Sequence, residues 1–349
     1  MKSAIHDSST DSVRIVDRPV PEIGKGEILL RPRSVGLCAS ELIPGHLRKG
    51  GSLGHEVAGV VHRVGPEVEN LREGDRVFIH HHVPCMSCHF CDRGKHTMCP
   101  RYPEFGFDPT GYAEYCRVRE RHVRLGALEL PPQVTFDEGC VIEPVSCILR
   151  ALKVAGGSPG DTVLIIGSGF IGLVALQMAR LFGAGIVMVT DIMDEKLRLA
   201  EELGADLAVH PGKQDVNETL VRENGGRKAD LVFVSAPAIQ AVSDALHHVE
   251  RGGTIVQFGG SSPDQTTAIN PYTFITRELT YLGTYSSSPA DARSTLDLIA
   301  RGRLHIKPLI TDHFPLEQVQ EAIEFKRETA ASLKVVIHPG GDEGGGRGR

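Results

Sequence analysis

The chain has 349 residues, of which 41% are hydrophobic and 23% are charged, and its formal net charge is −6. This length favours two globular domains, and the acidic balance argues against nucleic acid or an anionic membrane as the main partner. Trp is absent and aromatic residues make up 5% of the chain, so a stacking platform for single strands is not expected. There is no apolar leader and no apolar run of about 18 residues, which favours a cytoplasmic protein without a membrane span.

The first part of the chain predicts short strands, at residues 26–33, 55–64 and 75–80. Turn signals such as Gly65-Pro66 and Gly74-Asp75 separate them, which is typical of a β-rich, barrel-like domain. All eight cysteines lie at or before Cys147. A domain boundary near residue 150 is therefore predicted.

Three short stretches of this first part contain residue types that commonly serve as metal ligands. GLCASEL contains Cys38, GHEVAGVV contains His55 and Glu56, and CVIEPVS contains Glu143. Thiolate, imidazole and carboxylate suit a catalytic zinc, which takes three protein ligands and keeps one position open.

A second group of cysteines has the spacing C-x2-C-x2-C-x7-C and consists of Cys85, Cys88, Cys91 and Cys99. A reducing cytoplasm argues against disulfides and for a metal role. Four thiolates close the zinc tetrahedron and leave no position for a substrate. This loop is therefore predicted to be a structural zinc lobe, and the remaining Cys116, Cys140 and Cys147 to be core residues.

After residue 160 the pattern alternates between strand and helix. Strands are predicted at 161–166, 186–190, 231–234 and 254–258, and helices at 170–182 and 194–203. This alternation favours a parallel, doubly wound sheet. A helix at 290–300 and a strand at 333–337 follow, and the tail GGDEGGGRGR is predicted to be disordered.

A glycine-rich turn links the first of these strands to its helix, in the order G-x-G-x-x-G. The first glycine permits the tight turn, the second lets the backbone approach a pyrophosphate, and the third lets the helix pack on the sheet. Asp191 ends the next strand, where a carboxylate binds ribose hydroxyls and repels a 2′-phosphate, so NAD is predicted. The predicted cofactor-binding residues are Gly167, Gly169, Phe170, Ile171, Gly172 and Asp191.

Together these pieces resemble zinc-dependent medium-chain dehydrogenases of the alcohol, sorbitol and threonine dehydrogenase group. The resemblance implies an α/β fold: a GroES-like β-rich catalytic domain at 1–150 with the zinc lobe at 85–99, a Rossmann domain at 151–288, and a return to the catalytic domain at 289–349. It also implies that Cys38, His55 and Glu143 bind the catalytic zinc. Glu56 would lie against the metal and exchange as a ligand, which leaves the third ligand open.

The resemblance further implies two zinc ions per chain and hydride transfer from a secondary alcohol to NAD, which gives a ketone. Ser40 matches the hydroxyl that passes on the substrate proton. Many relatives continue this relay with a histidine five residues after the cysteine, but Ile43 stands there. His46, three residues later, is the candidate to replace that histidine in the relay, and a solvated loop histidine is the alternative.

The expected substrate is a polyol, a sugar or an aminocyclitol. His55 follows Cys38 by only 17 positions, which suggests a trimmed loop and room for a bulky ring; a loop deletion without consequence is the alternative. Glu104, Asp108 and Tyr112 lie where relatives contact substrate, and with the acidic charge they allow a cationic amino sugar in a biosynthetic pathway; ordinary surface acids are the alternative. His80, His81 and His82 are interpreted as a solvated strand end, and the alternative is that one of them faces the cleft.

The resemblance also implies a homodimer or homotetramer built near residues 273–284. Two other functions stay open. A threonine-type amino-acid dehydrogenase would use Arg48 or Lys49 for the substrate carboxylate, and a non-catalytic nucleotide-binding protein would use the same scaffold. The zinc-free reductase branch is disfavoured because the ligand set is retained.

Overall fold

The computed structural model describes residues 1–43, 45, 53–260 and 265–340. The chain divides into two compact units. The first contains Met1–Ser146, Ser287–Gly302 and the chain from Ile306 onward, and the second contains Cys147–Ser286 and Arg303–His305. Among the described helices, none combines the length and apolar character that crossing a bilayer requires.

The strands are numbered in chain order. They are β1 (Lys2–Asp7), β2 (Ser12–Asp17), β3 (Ile28–Gly36), β4 (Glu56–Val64), β5 (Arg76–His80), β6 (Phe107–Asp108), β7 (Cys116–Val118), β8 (Ala127–Glu129), β9 (Thr162–Ile166), β10 (Ile186–Thr190), β11 (Leu207–Val209), β12 (Ala229–Val234), β13 (Val249–Gln257), β14 (Thr280–Gly283), β15 (Ile310–Pro315) and β16 (Lys334–His338).

The α-helices are numbered in the same way. They are α1 (His89–Asp92), α2 (Glu120–Gly126), α3 (Phe136–Cys140), α4 (Ile142–Ala155), α5 (Phe170–Leu181), α6 (Asp194–Glu202), α7 (Val216–Glu223), α8 (Ile239–His248), α9 (Pro271–Arg277), α10 (Pro289–Ala300) and α11 (Val319–Glu328).

The first unit is built on an eight-stranded sheet with the order β15-β16-β3-β4-β5-β8, while β7 pairs with both β3 and β6. Val57 on β4 lies opposite Ile79 on β5, and both side chains are fully buried. The strands of this sheet therefore bury one face against an apolar core, as is common for antiparallel sheets. The hairpin of β1 and β2 forms a separate sheet.

The second unit contains a six-stranded sheet with the order β11-β10-β9-β12-β13-β14, and its pairs are parallel. Leu164, Met188, Val232 and Ile255 lie side by side on four adjacent strands and are fully buried. The order reverses between β9 and β12, so the turn after β9 lies at the switch point where such sheets bind nucleotides.

The predicted fold class, a GroES-like β-rich domain with a doubly wound parallel sheet, is confirmed. The predicted helix at 170–182 is α5, which ends one residue earlier. The strand predicted at 254–258 is β13, which begins five residues earlier, at Val249. Gly252 and Gly253 resemble a turn in the sequence, and Gly252 does have a positive φ of 74°, but the strand continues through them.

Candidate metal and nucleotide sites

Cys38, His55 and Glu56 come together in the first unit. Cys38 precedes a short 3-10 turn, Ala39–Leu42, and Glu56 is the first residue of β4. One potential ligand atom from each of the three residues lies within 4.8 Å of the other two. The Ser40 hydroxyl donates a hydrogen bond to the Cys38 Sγ at 3.2 Å. A thiol, an imidazole and a carboxylate at this spacing form a donor set that fits zinc.

The buried carboxylate of Glu41 lies next to this cluster and has two hydrogen-bond donors of its own. Its Oε1 accepts the Gly54 N–H at 2.6 Å, and its Oε2 accepts the Tyr112 hydroxyl at 2.8 Å. The His55 Nδ1 lies 3.6 Å from the Glu41 Oε1. Burial alone would lower the pKa of His55, but Cys38 and Glu41 raise it well above its usual value. The imidazole of His55 therefore lies beside two groups that can carry negative charge, Cys38 and Glu41.

Lys334 contacts the carboxylate of Glu56 from β16. Its Nζ donates to the Glu56 Oε1 at 2.7 Å and to the Leu37 carbonyl at 3.0 Å. Burial opposes the charge of Lys334, yet Glu56 raises the pKa of the lysine, so the ammonium group is retained. A buried carboxylate that has such a partner keeps a defined orientation, and removing either member leaves an uncompensated charge.

His80, His81 and His82 are buried, with exposures of 0%, 5% and 6%, so their interpretation as a solvated strand end was wrong. The His80 Nε2 hydrogen-bonds the Ser287 hydroxyl at 2.9 Å, and His82 packs edge-on against Tyr102. Burial lowers the pKa of both His80 and His82 to about 3. These imidazoles are therefore neutral at physiological pH.

Glu143 lies beside this histidine run. It belongs to the first turn of α4 and is 5% exposed. Its Oε1 is 3.8 Å from the His81 Nδ1, and the ring of His81 lies 4.7 Å from that of His55. Among the described residues, the three-membered cluster that includes Cys38 contains Glu56 rather than Glu143.

Cys85, Cys88, Cys91 and Cys99 form a separate cluster, in which one sulfur of each lies within 4.8 Å of the others. The Cys85–Cys91 and Cys88–Cys91 sulfur distances are 3.9 and 3.6 Å. Four ligands at the usual zinc–sulfur length, arranged as a tetrahedron, lie about 3.8 Å apart. The backbone N–H of Ser87 lowers the pKa of Cys85 to about 6, which favours the thiolate that a metal requires. The donor set and its geometry fit a closed zinc site.

The glycine-rich turn of the second unit has the geometry expected for a pyrophosphate site. Gly167 has a φ of 99°, which favours glycine. A Cβ on Gly172 would lie 1.9 Å from the Gly167 carbonyl oxygen, whereas a Cβ on Gly169 would meet nothing within 4 Å. Gly169 caps α5, so open space adjoins the free N–H groups at the start of this helix.

Asp191 follows β10 and is tied to the same turn. Its Oδ2 accepts the backbone N–H of Ser168 at 2.7 Å and the Ser168 hydroxyl at 2.9 Å. Its Oδ1 accepts the Met193 N–H at 3.0 Å. The carboxylate is thereby fixed at the carboxyl end of the sheet, where it can accept hydrogen bonds from a ribose.

Two family models match the chain over most of its length. The model described as "Alcohol dehydrogenase GroES-like domain" matches residues 24–128, and the one described as "Zinc-binding dehydrogenase" matches residues 171–301. The sorbitol dehydrogenase of Bacillus subtilis (strain 168) is 30% identical over 356 residues, which cover 97% of each chain. This chain belongs to the zinc-dependent medium-chain dehydrogenase family.

Solved structures of this family have the same fold. A zinc-binding dehydrogenase from Sinorhizobium meliloti 1021, bound to NADP, aligns with a TM-score of 0.85 at 29% identity and covers 97% of this chain and 99% of its own. Galactitol-1-phosphate dehydrogenase from Escherichia coli aligns with a TM-score of 0.83 at 28% identity and covers 97% and 100%. The chain is thus a zinc-dependent alcohol dehydrogenase of the medium-chain family that uses a nucleotide cofactor and a small hydroxylated substrate.

Three other residues singled out from the sequence have side-chain partners within the first unit. Glu104 pairs with Arg101 and Arg121, and Asp108 pairs with Arg117 at 2.7 Å. Both carboxylates are thus surface acids in ion pairs, with side chains 42% and 41% exposed, which agrees with the alternative interpretation. Tyr112 is fully buried and supports Glu41 instead. The predictions about His46, Arg48 and Lys49 lie outside the described residues.

Proposed function

We propose that this medium-chain dehydrogenase uses two zinc ions and NAD to oxidise a secondary alcohol of a polyol or sugar-like substrate to a ketone. The observation that carries the proposal is the cluster of Cys38, His55 and Glu56 with the Ser40 hydroxyl beside it. When bound, zinc lowers the pKa of a substrate hydroxyl and NAD accepts the hydride.

The chain's own residues would hold the catalytic metal and move the proton. Cys38 and His55 are proposed as two of the three ligands. Glu56 is favoured as the third because it belongs to the same cluster. Glu143 is the alternative because its Oε1 lies 3.8 Å from His81, whose ring lies 4.7 Å from that of His55. The Ser40 hydroxyl is proposed to accept the substrate proton and to pass on its own, because it lies 3.2 Å from the Cys38 Sγ.

The second zinc is proposed for the cluster of four cysteines, because the sulfur distances suit a tetrahedral site and no position is left for a substrate. None of the four cysteines forms a disulfide. Thiol ligands persist in a reducing compartment, so a cytoplasmic location is proposed.

NAD is preferred over NADP in this proposal because of Asp191. A carboxylate at this position repels the 2′-phosphate of NADP. The next side chain, Ile192, is 76% exposed and offers no cation. One solved relative is bound to NADP, so the family alone does not determine the cofactor. The preference of this chain is tested by the substitution below.

Replacing Asp191 with alanine is expected to weaken NAD binding about 10- to 100-fold, which corresponds to the loss of a hydrogen bond to a charged group. The NAD-over-NADP ratio of kcat/KM should fall by a similar factor. Asp194→Ala is the matched control, because Asp194 begins α6 and pairs with Lys213 on the surface. An unchanged cofactor preference in Asp191→Ala would show that another group reads the ribose.

A homodimer or homotetramer is proposed, with contacts around residues 273–284. The edge strand β14 belongs to this segment and, within the described chain, pairs on one side with β13. Tyr272 and Ile275 on α9 are 71% and 75% exposed, so this segment presents two large apolar side chains that a second copy of the chain could cover. A molar mass in solution of 37.8 kDa, the mass of one chain, would contradict this.

The substrate class is proposed from the relatives. The Bacillus subtilis relative is a sorbitol dehydrogenase, and the Escherichia coli structure is a galactitol-1-phosphate dehydrogenase; both names refer to a polyol. The narrower proposal of an amino sugar or aminocyclitol, in a biosynthetic role, rests on the net charge of −6, because Glu104 and Asp108 are neutralised by arginines.

The test is NADH formation by zinc-loaded protein with NAD and a panel of alcohols. Linear polyols and threonine are set against ring sugars, amino sugars and aminocyclitols. Turnover of polyols or ring sugars is expected, and turnover restricted to amine-bearing rings would establish the narrower class. Turnover of threonine alone would favour the amino-acid dehydrogenase. Absence of NADH with every alcohol would contradict the proposal and favour a non-catalytic binding protein.

A further inference from the structure

A second cluster of metal-binding side chains lies in the first unit and uses none of the residues assigned above. It consists of Asp137, His313 and His338, whose potential ligand atoms all lie within 4.8 Å of one another. The His338 Nε2 is 2.9 Å from the Asp137 Oδ1, and the His313 Nδ1 is 3.6 Å from the Asp137 Oδ2. The carboxylate therefore faces both imidazoles.

The sheet places the two histidines on one face. In the parallel pair β15–β16, His313 lies opposite Val336 and Pro315 lies opposite His338. Side chains alternate along a strand, so Val336 and His338 lie on the same face of β16. His313 is paired with Val336 and therefore lies on that face of the sheet too. The two rings stack at a centroid distance of 5.2 Å.

Asp137 reaches this face from the first turn of α3. The Ser34 hydroxyl on β3 donates to the Asp137 Oδ1 at 2.5 Å, and β3 is the neighbour of β16 in the sheet. The carboxylate is thus oriented by a hydrogen bond from regular structure. Sites built on strands and helices keep their geometry better than sites on loops.

We propose that Asp137, His313 and His338 form a third metal site that binds a divalent first-row transition metal, with Zn²⁺ as its first candidate. Two imidazoles and one carboxylate suit zinc, cobalt or nickel rather than calcium or magnesium. The side chains are 28%, 44% and 19% exposed, respectively, so water can complete the coordination. The side chain of His313 is half-exposed, so its ring can rotate and bring Nδ1 to roughly 2.1 Å from a zinc ion, the usual length of a zinc–nitrogen bond.

An ion at this position would link three elements that are distant in sequence, namely α3, β15 and β16. Its binding free energy would add to the stability of the folded first unit, because the unfolded chain does not hold the three ligands together. The proposal does not depend on the proposed function, since none of the three residues belongs to the thiolate clusters or to the nucleotide site.

The test is a calorimetric titration of Zn²⁺ into holoenzyme whose thiolate sites are already filled. One further equivalent per chain is expected to bind. His313→Gln and His338→Gln should each weaken this binding at least about tenfold, while NADH formation by His313→Gln stays unchanged. His247→Gln is the matched control, because His247 is an exposed histidine outside the cluster, and it should bind zinc like the wild type.

Cobalt gives a second readout that separates this site from the thiolate clusters. Co²⁺ bound to nitrogen and oxygen alone lacks the thiolate-to-metal charge-transfer absorption that both cysteine-containing sites would show. Uptake of one Co²⁺ without that absorption, lost in Asp137→Asn, supports the site. Holoenzyme that takes up no further equivalent, or that takes it up equally in all variants, would show a hydrogen-bonded cluster only and overturn the proposal. Because metal alone is the probe, the result holds whichever alcohol is turned over.

Discussion

Replacing Cys38 with alanine is expected to lower the rate of NADH formation at least about a thousandfold, while the affinity for NAD stays within about twofold. The thiol belongs to the only described three-residue cluster that joins a cysteine to a histidine and a carboxylate, and Ser40 donates to it. Cofactor binding is expected to survive because Gly167, Gly169 and Asp191 belong to the other unit.

The measurement combines NADH absorbance under saturating substrate with displacement of bound NADH by NAD, which is followed by the fluorescence of NADH. The chain contains no Trp whose fluorescence could interfere. Cys116→Ala is the matched control, since Cys116 is a fully buried cysteine of β7 outside both clusters. Near-normal turnover in Cys38→Ala would remove Cys38 from the mechanism.

The zinc content of the same proteins separates ligands from supporting residues. Cys38→Ala should lose one zinc per chain, and Cys116→Ala should lose none. Among the carboxylates, Glu56→Gln is expected to weaken zinc retention more than Glu143→Gln, because Glu56 lies within the cluster. The reverse order would assign the third ligand to Glu143.

The parts of the fold and site that could be predicted from the sequence are local ones. The strand, glycines and helix at 162–181 are contiguous, so apolar periodicity and a spacing rule suffice to place them. The four cysteines of the lobe likewise lie within fifteen positions of one another. Such patterns predict that these residues lie close together in space, because they are also close together in sequence.

The contacts that orient the candidate site could not be predicted in this way. Lys334 reaches Glu56 across 278 positions, and Tyr112 reaches Glu41 across 71. The first pair exists because β16 and β4 flank β3 in one sheet, and strand order has no local signal. The burial of His80–His82 was missed for a similar reason: the rings are covered by Tyr102 and Phe105, which come later in the chain.

Replacing Cys99 with serine is expected to remove one zinc per chain and to lower the melting temperature by about 10 °C or more. Among the described residues, the buried apolar group of this lobe consists of Cys91, Cys99 and Tyr102, with Cys85 and Cys88 packed against it. Apart from the neighbouring Tyr102, the described residues give the lobe no apolar core besides its cysteines, so metal ligation would supply its folding energy. A loss of about 4 kcal/mol produces a shift of this size in a domain of 150–250 residues.

The measurements are zinc content, thermal unfolding and limited digestion with trypsin. Arg93 and Lys95 are exposed within the lobe, and cleavage after them should be slow in the wild type and fast in Cys99→Ser, since a lobe without its ion opens locally. Cys116→Ser is the control, because it buries the same hydroxyl elsewhere in the first unit and leaves all four lobe cysteines in place.

The expected pattern separates a structural metal from a general effect of the substitution. Zinc loss, a lower melting temperature and new cleavage confined to Cys99→Ser would establish that the four thiolates hold the lobe together. If Cys99→Ser kept its full zinc content and its melting temperature, the lobe would have to be held by contacts outside its cysteines. If Cys116→Ser lost the same stability without losing zinc, burial of a hydroxyl rather than loss of a ligand would explain the shift.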